Sequence, residues 1–139
     1  MINNTNHVFN NTPRGPYTTS ILSVNQTSAT TGTIEVANIW NNGWAPVTFT
    51  LDWTDPANRK VTLATQTNIG PATTVISDTT YATWLVLVGP STTTTAAGPG
   101  TFSICNQTLT LKMFVGITNP TFTSGGWFNV PPYVVNMAR

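Results

Sequence analysis

An antiparallel β-sandwich or jelly roll of about seven to nine strands, entered by an extended N-terminal arm, is the all-β fold that this sequence predicts. Three observations carry it. Short runs of alternating apolar and polar residues recur along the chain, clusters of Gly, Pro and Asn separate them, and no window shows helical spacing. Threonine, with 29 copies, suits strands at buried and exposed positions alike. The 139 residues fit one domain, which can bury about two thirds of its unfolded surface. An up-and-down barrel uses the same ingredients and is the rival architecture.

Residues 1–20 are polar, contain Pro13 and Pro16, and hold most of their apolar content in Val8, Phe9 and Tyr17, so they read as an arm ahead of a domain at 21–139. Residues 17–24 form a weak extended segment. The clearest strand is 46–53, where Val47, Phe49, Leu51 and Trp53 alternate with Thr48, Thr50 and Asp52 and so share one sheet face. A strand at 32–40 precedes it, and Asn41-Asn42-Gly43 tolerates the positive φ of a turn, so the two make a hairpin. After a turn at Asp55-Pro56-Ala57-Asn58, residues 60–67 place Val61, Leu63 and Thr65 on one face. Asn68-Ile69-Gly70-Pro71 then turns the chain into a strand at 72–77.

In 83–88, Trp84, Val86 and Val88 point one way and Leu85 and Leu87 the other, so both faces want cover, the second from a neighbouring subunit. The threonine-rich run from Ser91 to Gly100 is too polar and too rich in breakers for a core element and is expected as an exposed loop. Strands at 101–105 and 107–117 follow. The first places Cys105 as a buried free thiol; the second sets Leu109, Leu111, Met113, Val115 and Ile117 against Thr108, Thr110 and Lys112. Behind Gly125-Gly126-Trp127-Phe128 and Pro131-Pro132, Tyr133-Val134-Val135 forms a short edge strand or a segment packed across the domain.

Charge is scarce: four acidic and five basic side chains stand where an average domain carries roughly a quarter of its residues as Asp, Glu, Lys or Arg. Such a chain gives up the usual defence against association, so it is either sticky by function or part of an assembly. Five scattered basic residues lack the stripe that neutralises several phosphates, and nucleic-acid binding is not expected. No run approaches the roughly 18 apolar residues of a membrane span. The start, Met1-Ile2-Asn3-Asn4-Thr5-Asn6, lacks the basic and apolar regions of a signal peptide, so export by a general secretory signal is not expected.

Catalytic chemistry is equally thin. The one histidine, His7, lies in the arm, away from anything that would orient it. Asp52 and Asp55 sit at a strand end and before a proline, positions where carboxylates cap backbone N–H groups rather than form an acid/base pair. One Cys, one His and four scattered acids do not make a zinc or calcium site, and neither a cofactor nor an enzymatic activity is expected. Four Asn-x-Thr sequons, at Asn3, Asn10, Asn25 and Asn106, match the roughly four that chance gives in so Asn- and Thr-rich a chain, which leaves glycosylation open. Of the five tryptophans, Trp53 and Trp84 fall in strand registers and are expected in the core. Trp44 beside Asn42 and Trp127 beside Asn129 follow turns, where they fill an interface or end of the domain, or stack on a sugar while the amides bond its hydroxyls.

Most of the predicted strands also lack the lysines, inward charges and prolines that guard sheet edges, so an open edge can be completed by a neighbour's extended segment. The arm and the strand behind it, with Val8, Phe9, Tyr17, Ile21 and Leu22, are the expected donor, and Leu85 and Leu87 an expected contact. At Thr31-Gly32-Thr33-Ile34-Glu35-Val36, Ala45-Pro46-Val47-Thr48-Phe49-Thr50, the stretch 62–76 with its Gly70, and Gly100-Thr101-Phe102-Ser103-Ile104-Cys105, the chain resembles the bacterial endospore appendage subunits. That resemblance, over residues 30–115, implies a jelly-roll subunit that polymerises through an N-terminal connector into a fibre on the spore or cell surface. The family's connectors carry cross-linking cysteines and residues 1–20 carry none, so the resemblance does not extend to covalent linkage. A virion or phage jelly-roll protein and a carbohydrate-binding lectin are the alternative classes.

Overall fold

The computed structural model describes residues 2–3, 7–9, 12–14, 16–119, 125–128 and 132–139, with the backbone alone before residue 16. The strands are β1 (Ile2–Asn3), β2 (His7–Phe9), β3 (Thr12–Arg14), β4 (Tyr17–Thr18), β5 (Ser20–Gln26), β6 (Thr31–Ala37), β7 (Val47–Asp52), β8 (Lys60–Thr62), β9 (Leu85–Gly89), β10 (Gly100–Ser103), β11 (Thr108–Thr118), β12 (Gly125–Trp127) and β13 (Tyr133–Ala138). Nine of them run antiparallel in the order β4-β1-β13-β11-β10-β8-β7-β6-β5, while β9 and β12 flank the second half of β11 and β2 pairs with β3. Half of the adjacent pairs on the path, β5/β6, β6/β7, β7/β8 and β10/β11, are also consecutive in the chain, and the rest are crossovers.

The two ends of this path are a single residue apart in sequence. β4 ends at Thr18 and β5 starts at Ser20, and consecutive Cα atoms lie about 3.8 Å apart, so only a sheet rolled back on itself brings both ends together. Thr19, buried at 1% exposure, sits at that seam. The Asn38 amide donates to the Thr18 carbonyl at 2.8 Å and the Tyr17 hydroxyl donates to the Ile39 carbonyl, which tie the seam to the end of β6. Two β layers thus face each other over one core, the all-β sandwich arrangement that the alternation predicts.

Alternation explains the strands that work as predicted. In β6 and β7, Ile34, Val36, Val47 and Phe49 point inward and are buried, at about 1.5–3 kcal/mol for each large side chain. β11 shows what happens when the environment changes along one strand. Up to Met113 it pairs with β10 and β13 and every second residue is buried; from Phe114 it pairs with β9 and β12, and Phe114 to Ile117 are all buried. The second half is covered on both faces. Trp127 supplies cover on the face opposite the core: its ring meets Phe114 edge-on at 6.2 Å and lies over Gly89, where a Cβ would come within 2.8 Å of it.

Four local predictions are corrected. The stretch 72–77 is no strand, because Ala72–Thr74 forms a 3₁₀ turn in which Ala72 and Val75, three apart, both bury. The strand expected at 32–40 ends at Ala37, since Asn38 takes φ 59° and sends Ile39 and Trp40 into the core from a loop. Cys105 is exposed: Ile104 to Gln107 form the tip of the β10–β11 hairpin, with Gln107 at φ 51°. The tail strand β13 is six residues long and lies between β11 and β1.

One half-buried side chain substitutes for a strand. β8 stops at Thr62, short of Thr48 on β7, and Gln66 takes its place: Oε1 accepts from the Thr48 N–H at 2.8 Å and Nε2 donates to the Thr48 carbonyl at 2.8 Å. Gln66→Leu keeps the volume and strands both backbone groups, so unfolding in urea should show a loss of about 1–3 kcal/mol. A variant as stable as the parent would show that water replaces the amide.

Candidate docking surface

β5 is built like a core strand and placed like a surface one. In its antiparallel ladder Ile21 opposes Val36 and Val24 opposes Ile34, and directly opposed residues share a sheet face. Val36 and Ile34 are buried, at 0% and 5% exposure, yet Ile21 stands at 42% and Val24 at 74%. Leu22, in the bulge between the two paired runs, is 57% exposed. All seven residues of β5 are exposed, and among the described residues the strand pairs with β6 alone. No charged residue and no proline lies in Ser20–Gln26; the bulge at Leu22 is its one edge-guarding device.

The apolar surface continues inward from β5. Ile21, Ile34, Leu51, Phe102, Ile104 and Leu109 line an open groove of about 340 Å³, together with Arg139. A second hollow of about 310 Å³, between Leu51, Trp53, Pro56, Arg59, Phe102 and Ile104, shares three of those side chains. Ile104, 66% exposed on the hairpin tip, projects beside both. The sandwich is therefore unfinished between β5 and the β10–β11 hairpin, where facing apolar side chains do not close on each other.

The other expected contacts fall elsewhere. Tyr17 is buried with its hydroxyl on the Ile39 carbonyl, so its side chain works within the domain. Leu87 is 8% exposed and Leu85 half-buried, so Leu87 needs no neighbouring subunit for cover. Val8 and Phe9 lie in β2, and their side chains are outside the described residues. The backbone of Ile2–Asn3 pairs with Met137–Ala138 of β13 and with β4, which docks the start of the arm on the sheet.

The residues considered for sugar binding do not form a platform. Trp44 is 5% exposed, stacked on Trp40 at 5.3 Å and 22°, and its Nε1 donates to Thr74 Oγ1 at 2.7 Å. Gly70 leaves room for that indole, since a Cβ there would lie 2.5 Å from Cδ1. The Asn42 amide donates to the Thr74 carbonyl at 3.1 Å, so both residues pin the 68–75 loop. Trp127 is half-buried against Phe114 and Gly89, and Asn129 is outside the described residues.

The aspartates cap turns. Asp52 Oδ1 accepts from the Thr54 N–H at 2.9 Å, Asp55 Oδ1 from the Ala57 N–H at 2.9 Å, and Asp78 Oδ1 from the Thr80 N–H at 2.8 Å. The Thr80 backbone N–H, and then its hydroxyl, hold the Asp78 carboxyl below the ordinary range; the Thr54 backbone N–H does the same for Asp52, with Lys60 adding a smaller pull. A depressed folded value stabilises the fold above the unfolded aspartate pKa of about 3.9, and the contribution is lost as pH falls through the folded value. Carboxyl NMR titration should place the Asp78 midpoint below that value, and a midpoint at or above it would contradict the cap.

No protein-family model, curated protein or solved structure matches this chain. No helix among the described residues is long and apolar enough to cross a membrane.

Proposed function

We propose that this chain is a non-enzymatic structural subunit that assembles with copies of itself into a fibre on an extracellular, spore or cell surface. One observation carries the reading: an uncharged strand whose core-facing residues Ile21 and Val24 are exposed, along an edge that has no pairing partner among the described residues. A second copy completes both, its backbone satisfying the edge and its side chains covering the apolar face. Scarce charge then serves association, because contacts form without burying unpaired ions.

The N-terminal arm is the second connector. Its pairing with β13 rests on two residues, Ile2 and Asn3, and a neighbour's arm can make the same pairing, which is how domain exchange links subunits at low cost. Together the two contacts give each subunit the pair of interfaces that a linear polymer needs. The resemblance to endospore appendage subunits points the same way. Negative-stain electron microscopy of the purified protein is the test: regular fibres are expected, and closed shells, discrete oligomers or monomers at high concentration would overturn the reading.

A further inference from the structure

The edge of β5 also defines how two copies meet. We infer that β5 pairs with β5 of a second copy, antiparallel and two-fold symmetric about Val24; this rests on the self-assembly reading and adds its symmetry. A ladder needs two free edges, and among the described residues no other strand of more than three residues leaves one edge open along its whole length. β6, β7, β8, β10 and β11 are flanked on both sides, and β9 is bordered by β11 and by the stretch 66–72, through bridges at Gln66–Val88 and Pro71–Leu85. β13 has β11 on one side and β1 at its end. Among the described residues, β5 is the one strand of more than three residues with a second edge unpaired along its whole length. The matching edge on a folded neighbour is its own β5.

Symmetry and side-chain chemistry then fix the register. A two-fold axis normal to the sheet keeps each side chain on its face, and directly opposed residues share a face, so one residue must oppose its own copy. The bulge at Leu22 breaks the ladder on its N-terminal side and leaves Ser23–Gln26 regular. Centring on Val24 sets Val24 against Val24 on the apolar face and Ser23 against Asn25 on the polar face, where Ser23 already hydrogen-bonds Glu35 at 2.8 Å. Centring on Ser23 would instead oppose Ile21 to Asn25, which the bulge places on opposite faces: Ile21 pairs with Val36 and Asn25 with Thr33. No charge lies on β5, so two copies approach without like-charge repulsion. The contact closes on itself, and growth beyond the pair belongs to the arm.

Single-cysteine variants in a Cys105→Ser background read the register directly, since a disulfide needs Cα atoms within about 7 Å. Under mild oxidation Val24→Cys should give a covalent dimer. Ser23→Cys alone and Asn25→Cys alone should give at least tenfold less, and an equal mixture of those two should restore it. Cross-linking of all three variants with themselves would indicate a parallel in-register edge and overturn the inference. Polymers without cross-linking at Val24→Cys would also overturn it while leaving self-assembly intact. A chain that stays monomeric by sedimentation defeats the self-assembly reading itself.

Discussion

Val24→Lys should leave the domain folded and stop fibre growth. At 74% exposure, Val24 makes little contribution to its own core, so the unfolding free energy should move by no more than about 0.5 kcal/mol. In the proposed assembly the same position would lie against apolar surface, and a two-fold contact would set two ammonium groups opposite each other. Lysine on an edge strand is also the commonest natural guard against sheet extension. Loss of a hot-spot residue at the centre of an interface costs about 2 kcal/mol or more, about thirtyfold in affinity, so sedimentation velocity should shift from polymers to small species joined by the arm alone. Thr62→Lys, at another exposed strand position in β8, is the control and should assemble normally. Fibres formed by the Val24→Lys variant would remove β5 from the contact.

Trp40→Ala should be the most damaging substitution within the domain. The indole is fully buried, stacked on Trp44 and met edge-on by Tyr133 at 4.9 Å. Removing it opens a cavity where the 38–46 loop, β13 and the 68–75 loop meet, and such truncations cost about 3–5 kcal/mol. Against a total stability of roughly 5–15 kcal/mol, that brings the variant near half-unfolding in mild denaturant. Urea unfolding gives the value, and a loss below about 1 kcal/mol would show that the loops collapse into the space.

Period-two patterning made the inner strands legible because one sheet face is buried and the other wet. Val47, Phe49 and Leu51 fall as alternation dictates, as do Leu109, Leu111 and Met113. It failed where that asymmetry ends. Trp40 and Trp44 enter the core from loops, whose geometry depends on Asn38 and Asn41 at positive φ rather than on any period. Residues 72–77 carry the apolar content of a strand, but Ala72 and Val75 bury with the spacing of a 3₁₀ turn. Cys105 reads as strand from its neighbours Phe102 and Ile104, whereas the chain has already begun to reverse there.

The candidate surface was partly visible. Ile21 and Leu22 stood out as apolar residues in an uncharged segment, and the lack of any guard around them was a signal in composition. That Val24 faces the core and remains uncovered depends on register across the β5–β6 ladder and on the gap beside Ile104, neither of which is a local property of the sequence. Leu85 and Leu87 show the converse. Their two-sided pattern correctly required cover, and Leu87 finds it within its own chain.

Hydrogen–deuterium exchange across β5 tests the central claim most directly. In assembled protein the β5 amides that point away from β6 should become protected to the level of interior strands, and in the Val24→Lys variant they should exchange as fast as exposed backbone. Rapid exchange along Ser20–Gln26 in the assembled state would contradict a contact made through this edge.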